Sequence, residues 1–421
     1  DKLHKSTADF EVMSVTQSTG GYYLVQRHVI EDPEFIDEDR YELKRLLRAY
    51  CKDRSCSIID TSFTTVQGLP ALDATLNDGR SYVHVRLVLQ ALAYYAFCTN
   101  EQDPARIDSF LNSISFDQPV SGTCTIYRND ELSFTTELPF VPAGPALSAE
   151  MMMFNPEMQR DSNSPFGTNG SFFLINPGES TGLRVLFQRY HEFSDGESRA
   201  SFEQERRQRA VGANMHLISA KEEWSDSGAV FNYIVGDAGS IRRYAHTVVL
   251  HNKSCYTLIA TYDSVFGLPS WVQRAMESFL STDTVFPYPH FQTRDNAYFD
   301  ALLSNDSIAR KKALDITSEM DFTADAAERI RSVVDLLSGF STEERQMIVS
   351  KLIEGLAADT SKASIEFLSR EFLAHSDSME YQEALLTVLL RMKTPQAWKA
   401  YRTLVLEEPT IAIDPWNASC W

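Results

Sequence analysis

A chain of 421 residues, 43% hydrophobic and 23% charged, has the composition of folded globular modules. It is longer than one hydrophobic core usually organises, so two or three domains are expected. The formal charge of −19 repels nucleic-acid phosphates and anionic membrane faces alike, which sets nucleic acid aside as a partner. No apolar run approaches the roughly 18–20 residues of a spanning helix, so no membrane insertion is expected of this stretch. Six cysteines, at 51, 56, 98, 124, 255 and 420, are too few to build a disulfide scaffold of this size. Cys51 and Cys56 in "CKDRSC" could close a small disulfide loop in an oxidising compartment; two unpaired thiols are the alternative.

In chain order, "YYLVQRH" reads as a strand. Behind the acidic run "EDPEFIDEDR", Leu43, Leu46, Leu47 and Tyr50 fall at helical spacing, and the acids suit that helix's N-terminus. "SIIDTSFTTV" is rich in β-branched residues, "VQGLPALDATLNDGR" supplies a turn and a strand, and residues 82–99 form two longer strands. "DPARIDSFLNSI" places Asp103 at an N-cap and Pro104 at the first helical position, with Ile107, Phe110, Leu111 and Ile114 on one face.

The chain then repeats itself. A shift of 162 carries Tyr82 onto Tyr244, His84 onto His246, Tyr94 onto Tyr256 and Thr99 onto Thr261, and carries Gln26 and Arg27 onto Gln188 and Arg189. On this alignment the paired histidines and tyrosines occupy equivalent strand positions. The second copy ends on a helix with Pro269, Val272, Met276 and Phe279, and it opens on "DELSFTTELPFVPAGP", an alternating strand running into a proline-bounded turn. The first copy opens more abruptly, which suggests that Asp1 lies near or inside its start. Antiparallel strands bracketed by helices indicate an α+β layered fold.

From about residue 288 the strand signal gives way to amphipathic helices. Ile330, Val333, Val334 and Leu337 form one stripe closed by Gly339. Val349, Leu352, Ile353 and Leu356 form another, opened by the capping pair Ser341 and Glu344. Ile365, Leu368 and Phe372 follow, then Tyr381, Leu385, Val388 and Leu389, and finally Trp398, Tyr401 and Val405 behind a Thr394 cap and Pro395. Short polar links suit side-by-side helix pairs of HEAT or armadillo type.

No spacing required by familiar chemistry is present: there is no Gly-x-Ser-x-Gly elbow, His-Glu-x-x-His pair, P-loop or Gly-x-Gly-x-x-Gly. "DSNSPFGTNGS" begins like a calcium loop at Asp161 and Asn163, but Pro165 stands where a third oxygen ligand belongs. His84 and His246 would need partners on the same face to bind metal or act in catalysis, and a polar residue alternating on a half-buried strand explains them more simply. No catalytic, cofactor-binding or metal residue is assigned. "FEQERRQRAVG" concentrates Arg206, Arg207 and Arg209 on a helix of an otherwise acidic chain. That patch could bind an acidic partner or a phosphate, or form a solvated face with Glu203 and Glu205.

The run of "LSFTTELPFVP", "VLFQRY", a helix, a glycine turn, paired strands with a Tyr-rich segment and a terminal "SFL" helix resembles the PsbP-like α/β/α sandwich. That fold is shared by photosystem accessory proteins, a Ran-binding import factor and many bacterial envelope proteins. The resemblance covers about two thirds of the chain. It implies an antiparallel sheet between helices and protein binding rather than catalysis, and it transfers no functional residue. "LLRMKTPQAWKAYRTLVLEEP" is similar to helical regions that follow a TraB/GumN-type domain in very long bacterial proteins. The Gly-x-x-His motifs of that domain are absent, which implies that any enzyme-like part lies outside this chain.

The expected architecture is therefore two tandem antiparallel-sheet sandwich domains, 1–118 (truncated at its start) and 119–287, followed by an all-α helical-repeat domain, 288–421. The expected role is a non-catalytic interaction or scaffold region of a bacterial cell-envelope protein, periplasmic or extracytoplasmic, with a protein partner and no cofactor. The rival readings are a partner-positioning region of a larger envelope enzyme, or a small-ligand binder using a cleft between the duplicated domains.

Overall fold

The structure, a computed structural model, describes residues 2–6, 10–16, 21–29, 38–91, 93–116, 122–140, 168–175, 182–193, 198–212, 215–286, 288–334, 336–337, 342–376 and 378–407. Asp161, Asn163, Pro165, Gly339 and Ser341 lie outside the described residues. The chain is mixed α+β, and among the described residues it forms three antiparallel sheets of seven, six and three strands. It divides into two compact units. One comprises 1–161, 169–189 and 199–289; the other comprises 162–168, 190–198 and 290–421.

The seven-stranded sheet runs β1 (Lys2–Ser6), β2 (Phe10–Thr16), β3 (Tyr22–Val29), β7 (Ala93–Thr99), β6 (Tyr82–Gln90), β5 (Leu69–Asn77), β4 (Ser57–Val66). Alternation along β5 and β6 sends side chains to two faces. Leu72, Ala74, Leu76, Val83, Val85 and Leu87 pack against Leu43, Leu46, Leu47 and Tyr50 of helix α1 (Asp39–Arg54). Leu69, Ala71, Val88 and Phe97 face Ile107 and Leu111 of helix α2 (Pro104–Asn112). The Asp103 cap forms as its sequence suggests, Oδ1 accepting from Ala105 N at 3.0 Å. Gln67 and Gly68, both at positive φ (51° and 89°), make a two-residue turn whose twist suits the β4–β5 hairpin. Arg86 grips Asp73 through two bonds of 2.6 and 2.8 Å and donates to Leu111 O at 2.7 Å, tying the sheet to the end of α2.

The six-stranded sheet runs β10 (Thr168–Ile175), β11 (Gly182–Arg189), β15 (Ser254–Asp263), β14 (Arg242–His251), β13 (Gly228–Gly236), β12 (His216–Trp224). Helix α3 (Arg199–Val211) follows β11 and helix α4 (Ser270–Glu277) follows β15. From β3 to α2 and from β11 to α4 the strand order and helix positions are the same. Even the irregularities match: a bulge interrupts β4 between Ile58 and Asp60, and one interrupts β12 between Leu217 and Ser219. The second sheet adds a three-stranded partner, β8 (Thr125–Asn129), β9 (Phe134–Leu138) and β16 (Leu280–Ser281). Phe134 and Leu138 complete a core with Trp271, Val272 and Tyr256, and the Tyr256 hydroxyl reaches Leu132 O at 2.9 Å and Ser133 O at 2.8 Å.

Strand register corrects the sequence alignment of the two copies. The β6–β7 hairpin closes at Gln90 opposite Ala93, and the β14–β15 hairpin closes at His251 opposite Ser254. Superposed on their turns, the hairpins differ by 161 positions rather than 162, so Val85 corresponds to His246 and Ala245 to His84. A slip of one residue exchanges faces. His84 lies on the α2 side of its sheet with Thr75, 3.4 Å away, whereas His246 stands opposite Tyr233 on the α3 side. The same slip leaves Tyr82 49% exposed while Tyr244 is 4% exposed. It also puts Tyr94 in the core under α1 and Tyr256 in the core under α4.

The second unit is built from α5 (Asp295–Leu302), α6 (Ser307–Ile316), α7 (Ala327–Val334), α8 (Thr342–Gly355), α9 (Lys362–Ala374), α10 (Met379–Arg391) and α11 (Pro395–Glu407). The apolar stripes of α7 to α10 are buried as their spacing predicts, with Ile330, Leu352, Leu368 and Leu385 fully enclosed. On α11, Thr394 Oγ1 caps the helix through Ala397 N at 3.2 Å, but the stripe is rotated from the expected one. Ala397 and Leu404 are buried while Trp398 is 54% exposed, with Tyr401 and Val405 partly buried against the core. Residues 190–193, which follow β11, belong to this unit: Phe193 packs on Tyr298, and Glu192 pairs with Arg294 at 3.6 Å.

Within the first unit the two sheet modules share a buried acid. Asp39, the first residue of α1, accepts from Ser240 Oγ and Ile241 N, each at 2.7 Å, and its own N–H donates to Gly239 O at 3.1 Å. Burial pushes its carboxyl above the usual carboxylate range against the pull of these donors. Beside it, Ile241, Val265 and Phe266 pack onto the core of Leu69, Ala71 and Leu111. Asp39→Ala leaves the Ser240 hydroxyl and the Ile241 amide buried without an acceptor. It is expected to destabilise the first unit by about 1–3 kcal/mol, measured as a lowered urea midpoint with unchanged slope.

Candidate interaction surface

The helices that follow β3 and β11 each carry a cluster of basic residues, and the two helices use it differently. In α1, "DRYELKRLLRAYCKDR" places Arg40, Lys44, Arg48 and Lys52 four residues apart, so they follow one another along the exposed side while Leu43, Leu46, Leu47 and Tyr50 face the sheet. All four cations are exposed. Arg45, also exposed, is spent on Glu42 at 2.6 Å. Among the described residues none of the four stripe cations makes an ion pair.

The chain reverses at Ser55, in the left-handed conformation, and returns as β4, the terminal strand of the sheet. β4 therefore runs back alongside α1. Its residues are exposed over most of their length, with Ile58 at 41% and Ile59 at 56%. The Arg40 guanidinium and the Lys44 ammonium sit over the Phe63 ring at 5.2 and 5.4 Å from its centroid, a geometry in which the ring face attracts both cations. In "SIIDTSFTTV" the sole charged side chain is Asp60. An edge strand of this length without lysines or prolines leaves a row of backbone N–H and C=O groups open to a partner strand. Pairing closes on a bonded Val66–Leu69 pair at the tight turn, so Thr61, Phe63 and Thr65 turn their main-chain groups outward.

The arginines singled out on α3 are placed differently. Arg206 is 8% exposed with its guanidinium over Phe202 at 4.8 Å, so it is not available to a partner. Arg207 lies 3.5 Å from Glu222, and Arg209 pairs with Glu205. The sequence concentrates these cations but cannot show that the neighbouring strand β12 supplies Glu222.

Glu203, Glu222 and Tyr233 form a compact acidic group under α3. Burial, and then the adjacent Glu203 carboxylate, push Glu222 above the usual range, opposed by Arg207. His246 stands opposite Tyr233 and edge-on to the Tyr244 ring, and burial pushes its imidazole down to about 4. Among the described residues no group of three or more His, Cys, Asp or Glu could hold a metal ion. Cys51 and Cys56 are free thiols at the end of α1; the Cys56 amide donates to Cys51 O at 3.1 Å. Burial and the neighbouring Cys56 push Cys51 up to about 12. No helix among the described residues is long and apolar enough to cross a membrane.

No family model and no curated protein matches the chain. A solved structure, the apo form of the immunity protein TplEi of T6SS from Pseudomonas aeruginosa, aligns over 68% of this chain and 98% of its own at 10% identity and a TM-score of 0.18. A likeness that slight carries no argument about fold or function.

The sign of the His246 effect follows from its depressed value. The unfolded chain takes up a proton near the ordinary value of about 6.5, while the folded chain resists until about 4. The stability is therefore full above about 6.5 and is lost as the pH falls toward 4. His246→Leu should flatten the difference in unfolding free energy between pH 7 and pH 4.5 by at most about 3 kcal/mol relative to the parent. Urea titrations at the two pH values measure it, and an unchanged difference counts against a neutral buried imidazole.

Proposed function

We propose that this chain is a non-catalytic interaction and scaffold region of a bacterial cell-envelope protein, built from two PsbP-like modules and a HEAT-like helical segment. The observation that carries the reading is the α1–β4 surface. Four exposed cations border a ten-residue edge strand that displays Ile58, Ile59 and Phe63, and contiguous exposure of this kind marks interaction sites rather than solvated surface. The helical unit adds exposed apolar side chains, Trp398 at 54% and Leu406 at 70% on α11. The recurrence of one strand order and one bulge position in both modules supports an internal duplication, as a PsbP-like tandem requires. The envelope location rests on the family resemblance.

A photo-crosslinking residue placed at 59, and separately at 398, tests the proposal in cells that express the chain. Discrete adducts of defined mass at either position, absent when the residue is placed at exposed Glu223 of β12, are the expected result. Adducts at neither position overturn the scaffold reading.

A further inference from the structure

We propose that the α1–β4 surface takes an acidic, extended protein segment, which pairs with β4 as an added strand and lays its carboxylates along Arg40, Lys44, Arg48 and Lys52. The inference rests on the scaffold reading and adds the chemistry of the partner.

Two independent features define the occupant. The first is backbone: β4 ends its sheet, and Thr61, Phe63 and Thr65 present unpaired main-chain groups on a strand of ten residues. Another extended chain matches such a row, because its N–H and C=O groups repeat at the same spacing; strand addition gives affinity through the main chain and specificity through alternate side chains. The second feature is charge. In a protein of net charge −19, four cations without an ion pair stand on the one helix beside that edge. An incoming strand sends every second side chain toward α1, so acidic residues at alternate positions meet the stripe. Thr61, Phe63 and Ile58 lie on the α1 side of β4, opposite Ala74, Leu72 and Leu76, so the acids run past that face, while the residues between them turn to the other side, beside Asp60, Ser62 and Thr64.

The matching edge of the second module lacks this combination. β12 carries Lys221, Glu222 and Glu223, Lys221 pairs with Glu223 at 2.6 Å, and on α3 Arg207 and Arg209 are paired with acids, Arg206 is buried and Arg199 lies over the Trp224 ring. Its charges are balanced where those of the first module are not. An anionic bilayer would also attract the stripe, but the net negative charge of the rest of the chain opposes approach to such a surface.

The test uses the full chain and a labelled ten-residue peptide alternating glutamate with valine, followed by fluorescence anisotropy. Saturable binding is expected, weakened about tenfold or more between about 50 mM and about 300 mM salt, as screened charge pairs require. The double variant Lys44→Glu, Arg48→Glu changes exposed positions and keeps the fold, checked by circular dichroism. It should lose about tenfold or more in affinity, and the same peptide N-methylated at alternate amides should lose as much. No saturable binding, binding indifferent to N-methylation, or equal binding to phosphatidylserine vesicles that competes with the peptide would each overturn the proposal. If the peptide fails while an adduct still forms at position 59, the scaffold reading stands and only the chemistry of its partner is wrong.

Discussion

A carboxylate buried between two sheets is the constraint on which the first unit turns. Asp39 begins α1 and at the same time accepts from Ser240 and Ile241 of the second module, so one residue fixes both the entry of a helix and the contact between modules. Burying an acid costs free energy that its two donors must offset, and the upward shift of its carboxyl records the imbalance. The contact succeeds because it does not stand alone. Ile241, Val265 and Phe266 fill the α2 side of the first sheet around it, so the polar link is roofed by apolar packing. The stripe of cations on α1 starts at the next residue, and its direction along β4 is inherited from this anchor.

The two modules show how one connectivity can carry opposite surface chemistry. Each places a helix after the strand that opens the shared order, β3 or β11, and a bulged edge strand after that helix. In the second module Arg207 and Arg209 find carboxylates on the adjoining strand and on their own helix, Arg199 lies over the Trp224 ring, and Arg206 is drawn under the surface. In the first, the adjoining strand offers a single acid, Asp60, on the face away from α1. The free charge of α1 is thus a property of β4 as much as of the helix.

Much of the secondary structure was legible in the residues themselves. The Asp103–Pro104 start of α2, the core face of α1 and the stripes of α7 to α10 follow from capping and periodicity, which are local signals. Three features depended on register or on distant neighbours and could not be read that way. His84 and His246 align by identity but lie on opposite faces, because hairpin closure rather than residue identity sets which side a strand position takes. The arginines of α3 looked like a patch because their partner Glu222 is on another element. The cations of α1 are spaced by four, but that β4 lies beside them and turns its single acid, Asp60, to the other face depends on the register of that strand. Helices α5 and α6 are short, and their apolar residues, such as Tyr298 and Phe299, are too closely bunched to show a period.

The path of the chain through residues 190–193 bears on how the protein can be taken apart. These residues leave β11, lend Phe193 and Glu192 to the helical core, and are followed by α3 in the first unit. Cleaving the backbone near residue 288 would sever the main connection to the helices but leave this short loan in place, so the helical part is not an independent cassette. Excising it for expression would take Phe193 from Tyr298 and Glu192 from Arg294, and a faithful excision must carry the borrowed loop along.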